Sequence, residues 1–63
     1  MFSVGSVVII KNGAYKDHIG KITNIDEGLY DVKVSVVKGI HTYDVIVRAY
    51  EEDLVLVGEG GLF

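Results

Sequence analysis

A chain of 63 residues with no cysteine allows one domain, held by its core or by its core together with self-association, with neither a disulfide framework nor a thiolate metal site, which fits a reducing, cytoplasmic setting. Its 49% hydrophobic and 24% charged residues are the balance of a folded domain, and a net charge of −3 argues against wrapping duplex DNA, an affinity that comes from neutralising phosphates with lysine and arginine. The opening "MFSVGS" lacks the basic segment and apolar core of a signal peptide, and no run approaches the roughly 18 apolar residues of a membrane span.

Proline is absent, and glycines punctuate short runs rich in valine, isoleucine, threonine and tyrosine, a pattern of strands separated by turns. "SVVIIKN", residues 6–12, is nearly all apolar and is expected to be a strand buried on much of both faces. "HIGKITNID", residues 18–26, is a weaker strand in which Gly20 marks a bend or a close approach of another backbone. "DEGL", residues 26–29, is a tight-turn signal that makes the second and third strands a hairpin.

"LYDVKVSVV", residues 29–37, alternates Tyr30, Val32, Val34 and Val36 with polar positions, so one face is buried and the other wet. After the turn "KGIH", "TYDVIVRAY" at residues 42–50 resumes the alternation, and Ile46 on its polar face implies that this position is partly covered. "YEED", residues 50–53, suits one 3-10 turn, and "LVLV", residues 54–57, is the last strand. The expected domain is residues 1–57, and "GEGGLF", residues 58–63, is expected to be a flexible tail.

Five short strands in this length predict an all-β fold, a small five-stranded SH3-like barrel with a 3-10 turn before the last strand. The predicted interior is Val8, Ile10, Ile22, Val32, Val34, Val45, Val47 and Leu54, with Tyr30 and Tyr43 closing the ends. Lys11, Lys16 and Lys21 fall in the first third and the acidic residues mostly later, so the molecule is expected to be bipolar, with a cationic end at the first connection.

A filled barrel of this size has little room for chemistry, and the sequence predicts no enzyme. His18 and His41 lie on different connections without a second ligand at metal spacing, no serine has a nucleophile-elbow context, and no metal or cofactor is assigned. The acidic run Glu51, Glu52 and Asp53 reads as a solvated rim or, alternatively, as a contact for a basic partner.

Gly5, Val8, Ile10, Gly13, Tyr15, Lys16, Gly20 and Ile22, within "GSVVIIKNGAYKDHIGKI", resemble the KOW motif of SH3-like barrels in ribosomal proteins and transcription elongation factors. The departure is Asp17, where that motif usually has glycine. The resemblance implies a non-catalytic binding module that meets RNA or a protein through the connection between its first two strands. The candidate residues are Lys11, Tyr15, Lys16, His18 and Lys21, with Tyr15 either stacking on a base or folding back over the barrel mouth. The expected partner is a protein or ribonucleoprotein of transcription or translation, with RNA a candidate component.

Small acidic barrels of this kind also stand alone among bacteriophage proteins, an origin that suits the composition. An alternative reading is a structural subunit that self-associates or packs on a larger complex through its sheet edges; "KITNID" is similar to a stretch of the SH3-like peripheral subunit of a photosystem. The terminal "EGGLF" is similar to the leucine-phenylalanine peptides that insert into bacterial sliding clamps, with Glu59 in place of the usual glutamine.

Overall fold

The computed structural model describes residues 2–58. Five strands follow one another as β1 (Val7–Ile10), β2 (Ile19–Asp26), β3 (Leu29–Lys38), β4 (His41–Tyr50) and β5 (Leu54–Gly58), and a 3-10 turn, Glu51–Asp53, leads into β5. All pair antiparallel in one sheet of order β4-β3-β2-β1-β5, so consecutive strands are neighbours except that β5 returns to pair with β1. This is the SH3-like barrel predicted from the strand spacing.

The turns follow from their residues. Glu27 and Gly28 both have positive φ, 48° and 85°, so the β2–β3 hairpin closes on a two-residue turn whose twist matches that of its strands. The β3–β4 hairpin also turns on two residues, Gly39 and Ile40, with Gly39 at φ 65°. Pairing from Leu29↔Tyr50 to Lys38↔His41 is then continuous, with no bulge. The sheet bends elsewhere, at register shifts between Ile22 and Asn24 and between Val7 and Val8.

Val8, Ile10, Ile22, Val32, Val34 and Leu54 are buried as expected, joined by Tyr30 and Ala49. Val45 and Val47 are only half-buried against this cluster, because β4 is an edge strand with a neighbour on one side. Tyr43 does not close an end. It pairs with Val36 in the part of the hairpin that runs past the Gly20↔Val34 pair joining β2 to β3, and it is 45% exposed. Ile46 is largely exposed among the described residues, at 56%, on the outer face of β4.

The first strand is four residues long, shorter than the expected segment 6–12, and buried on one face: Val8 and Ile10 point inward while Val7 and Ile9 are half-exposed. β5 extends one residue past its expected end, since Gly58 pairs with Val7. The rest of the expected tail, residues 59–63, lies outside the described residues, as does the clamp-like "EGGLF".

Gly20 is the tightest point of the sheet. A Cβ there would sit 2.5 Å from Val32 Cγ1, 2.8 Å from the Lys33 carbonyl oxygen and 3.0 Å from Val34 Cγ2. The close approach predicted at this glycine is therefore to β3, although Gly20 also pairs with Val8 of β1. Near the N-terminus a short turn is held by buried Ser6, whose hydroxyl accepts the Ser3 N–H at 3.1 Å. Phe2 packs edge-on against Tyr30, with ring centroids 5.4 Å apart, and the Tyr30 hydroxyl donates to Glu51 Oε1 at 3.3 Å.

Candidate functional site

The connection from β1 to β2 is built by backbone bonds before any side chain is considered. Gly13, at φ 95°, takes the chain out of strand direction, and the N–H of Lys16 donates to the Gly13 carbonyl at 3.2 Å. A second turn follows at once, His18 N–H to the Tyr15 carbonyl at 3.0 Å. Ile10 closes the loop from both ends: its N–H donates to the His18 carbonyl at 3.0 Å, and its carbonyl accepts the Asp17 N–H at 2.7 Å. Every one of these bonds is local to the loop or its stem, so its shape is fixed by the chain itself.

Asp17 occupies the left-handed region, φ 71°. That conformation explains why glycine is usual in the motif at this place and why aspartate, among the residues that tolerate it, can substitute. The substitution puts a carboxylate next to Lys16.

The side chains then divide into two sets. Tyr15 is half-buried, packed against the hydrophobic cluster, with its ring edge-on to His18 at a centroid distance of 5.6 Å. The ring thus lies back against the core, partly covered by it. His18 and Lys16 are exposed, and His18 Nδ1 lies 3.3 Å from the Lys16 carbonyl, a contact that orients the imidazole when Nδ1 carries the proton. Lys11 is exposed at the loop's entry. Lys21 belongs elsewhere: it sits on the outer face of β2, opposite Lys33 of β3 and Val7 of β1. There it helps line a shallow depression of about 290 Å³ with Val7, Ile19, Gly20, Lys33 and Ser35.

The expected cationic end is not separated from the acidic residues. The Lys11 N–H donates to the Asp53 carbonyl at 2.8 Å, and Asn12 Nδ2 donates to Asp53 Oδ1 at 3.0 Å. These bonds place the Glu51–Asp53 turn beside the loop, so the surface there alternates in sign. The reason is topological: β5 pairs with β1, and the turn that precedes β5 must lie where β1 ends. Nothing local in the sequence announces this contact, since its partners are 41 positions apart. Lys33 was also missed, because its association with Lys21 depends on register. Among the described residues no cluster of histidine, aspartate and glutamate has the arrangement of a metal site.

The sequence model of the KOW motif matches residues 4–37, more than half of the chain. The chain belongs to the KOW family. No curated protein and no solved structure matches it. The KOW match runs through β1, the loop and β2 and into β3, and so contains Lys11, Tyr15, Lys16, His18 and Lys21. The acidic turn and both edge strands, β4 and β5, fall outside it. A KOW module is a non-catalytic RNA- or protein-binding motif of the ribosomal and elongation-factor type. No helix of the described residues is long and apolar enough to cross a membrane.

Proposed function

We propose that this KOW domain is a docking module that seats a protein or ribonucleoprotein surface of the transcription or translation machinery on its first loop, residues 12–20, and the face beside it. The observation that supports this reading is the pre-formed loop. Its backbone is closed by four bonds of 2.7–3.2 Å and backed by Tyr15, while Lys11, Lys16 and His18 remain exposed. A loop already held in one conformation loses little entropy on binding, so exposed groups upon it can contribute affinity that a floppy turn would forfeit.

The mixed charge of the surface narrows the partner. Lys16 lies next to Asp17, and Lys11 is tied to the acidic turn at Asp53, an alternation that suits a protein or a ribonucleoprotein better than a bare duplex. Tyr15 acts as the support of the loop, and Lys21 extends the contact onto the outer face. Such a partner places the protein in the cytoplasm, and the role is one of binding, not catalysis.

The test is affinity capture of the intact chain from lysate, with and without ribonuclease, against a variant carrying Lys16→Glu and His18→Ala. Tyr15 is left in place because its ring is part of the packing. A ribosomal or polymerase component retained by the wild type and lost by the variant supports the reading, and ribonuclease sensitivity shows whether RNA carries the contact. Identical retention by both proteins, or none by either, overturns it.

A further inference from the structure

We infer that a second copy of this chain pairs with β4, edge to edge, across a twofold axis at Ile46. β4 is ten residues long, lies at the end of the sheet, and pairs only with β3 among the described residues. It carries no proline, no lysine and no bulge to blunt this free edge, and its two charged residues, Asp44 and Arg48, are of opposite sign. Ile46, the residue that breaks the polar pattern of its outer face, is left 56% exposed.

Backbone geometry restricts the registers. The two-residue turn makes Lys38 and His41 a hydrogen-bonded pair, and the uninterrupted ladder carries the alternation along the strand. Odd-numbered residues of β4 therefore spend their N–H and C=O groups on β3, and Thr42, Asp44, Ile46, Arg48 and Tyr50 aim theirs at the free edge. An isologous antiparallel pair must match even positions with even positions.

Side chains then select one register. With Ile46 on the axis it meets Ile46 of the second copy, Asp44 faces Arg48, and Arg48 faces Asp44. Val45 and Val47, half-buried in the single chain, face each other across the axis on the inner side. Sliding two residues either way sets Ile46 against Asp44 or Arg48. Sliding four sets Asp44 against Asp44 or Arg48 against Arg48. Only the register centred on Ile46 joins apolar to apolar and opposite charge to opposite charge, the pairings that stabilise cross-strand neighbours.

The charges are also prepared for it. Arg48 uses Nε on Asp31 at 3.0 Å, and its two terminal nitrogens make no hydrogen bond among the described residues. Asp44 accepts from Ser35 at 2.9 Å and lies 3.5 Å from Lys33 Nζ. Pairing would extend these into a row of alternating sign, from Lys33 through Asp44 to Arg48 and Asp31 of the second copy. The other edge, β5, has five residues and no charge, so nothing in it specifies a register.

The experiment is sedimentation of the full chain from about 10 µM to about 1 mM, the range in which a contact as small as one strand pair assembles. The average mass is expected to rise from that of one chain, 6.9 kDa, toward twice that value. Asp44→Arg alone and Arg48→Asp alone each place like charges opposite, and each is expected to weaken association about tenfold or more. Mixing the two variants restores both ion pairs in a heterodimer and is expected to recover wild-type affinity. Ile46→Lys, with its fold checked by circular dichroism, is expected to abolish association.

A wild type that stays monomeric at about 1 mM overturns the inference, being too weak for a specific contact. So does association that survives Ile46→Lys, or that mixing the two charge variants fails to restore. These substitutions leave the loop of residues 12–20 untouched, so either result is independent of the docking reading above.

Discussion

Asn12 donates from Nδ2 to Oδ1 of Asp53 at 3.0 Å, joining the first loop to the acidic turn across 41 positions of sequence. Beside it the Lys11 N–H donates to the Asp53 carbonyl at 2.8 Å, so one turn residue holds the loop by backbone and side chain together. The side-chain bond is exposed, and water competes for both partners. A double-mutant cycle with Asn12→Ala and Asp53→Ala, followed by denaturant unfolding, is expected to give a coupling of about 0.5–1 kcal/mol. Strictly additive single effects would show that the backbone bond alone does the joining.

Gly20→Ala is expected to cost about 2–3 kcal/mol, because the added carbon meets backbone as well as side chain. The Lys33 carbonyl, 2.8 Å from the Cβ position, cannot swing aside as a methyl group can. Total stability for a chain of this size is roughly 3–9 kcal/mol, so the variant should unfold far earlier in urea than the wild type. An unchanged midpoint would mean that β2 and β3 separate more readily than their packing indicates.

Asp17 supplies a test of the loop's backbone. At φ 71°, Asp17→Gly is expected to keep stability within about 0.5 kcal/mol of the wild type or raise it, since lost strain offsets gained chain entropy. Asp17→Val, whose branched Cβ resists this conformation, is expected to cost about 1–2 kcal/mol. Thermal melts of the two variants decide the matter; equal effects would show that φ at this position is not what selects the residue.

Burial, followed by the hydrogen bond and the charge of Glu51, raises the Tyr30 phenol above its ordinary pKa of 10.0. A raised pKa in the folded state means that stability from the neutral phenol is fully present below pH 10.0 and is lost as pH rises through the higher folded value. The Tyr30 ring resonances, followed by NMR through alkaline pH, should titrate above the ordinary value. Glu51→Gln should lower that midpoint without bringing it all the way back, because burial is the larger cause. A midpoint indifferent to Glu51 would remove the hydrogen bond from the account.

Local pattern and tertiary structure divide the molecule between them. Period-two alternation in Tyr30–Val36 and Tyr43–Ala49 determined which face of the long hairpin turns inward, and Gly28 and Gly39 determined where its ends reverse, since only a few residue types accept positive φ. The spacing from Gly5 to Ile22 was sufficient to show the KOW motif: Gly5 and Gly13 answer a local demand for positive φ, and Gly20 answers the close approach of β3. Alternation cannot say how many neighbours a strand will have. That is why Val45 and Val47 are less buried than Val32 and Val34, though all four share one pattern.

The site was legible to the same depth. The sequence by itself marked the loop and its candidates Lys16, His18 and Tyr15, because the turns that form it close within a few residues; that Tyr15 packs against the core is seen only in the structure. Only the tertiary structure decided their surroundings: the return of β5 to β1 carries Asp53 against Lys11 and Asn12, and the β2–β3 register sets Lys21 beside Lys33 and away from the loop. Short-range geometry is written in consecutive residues, whereas the meeting of opposite charges from distant parts of the chain depends on which strands pair and in what register.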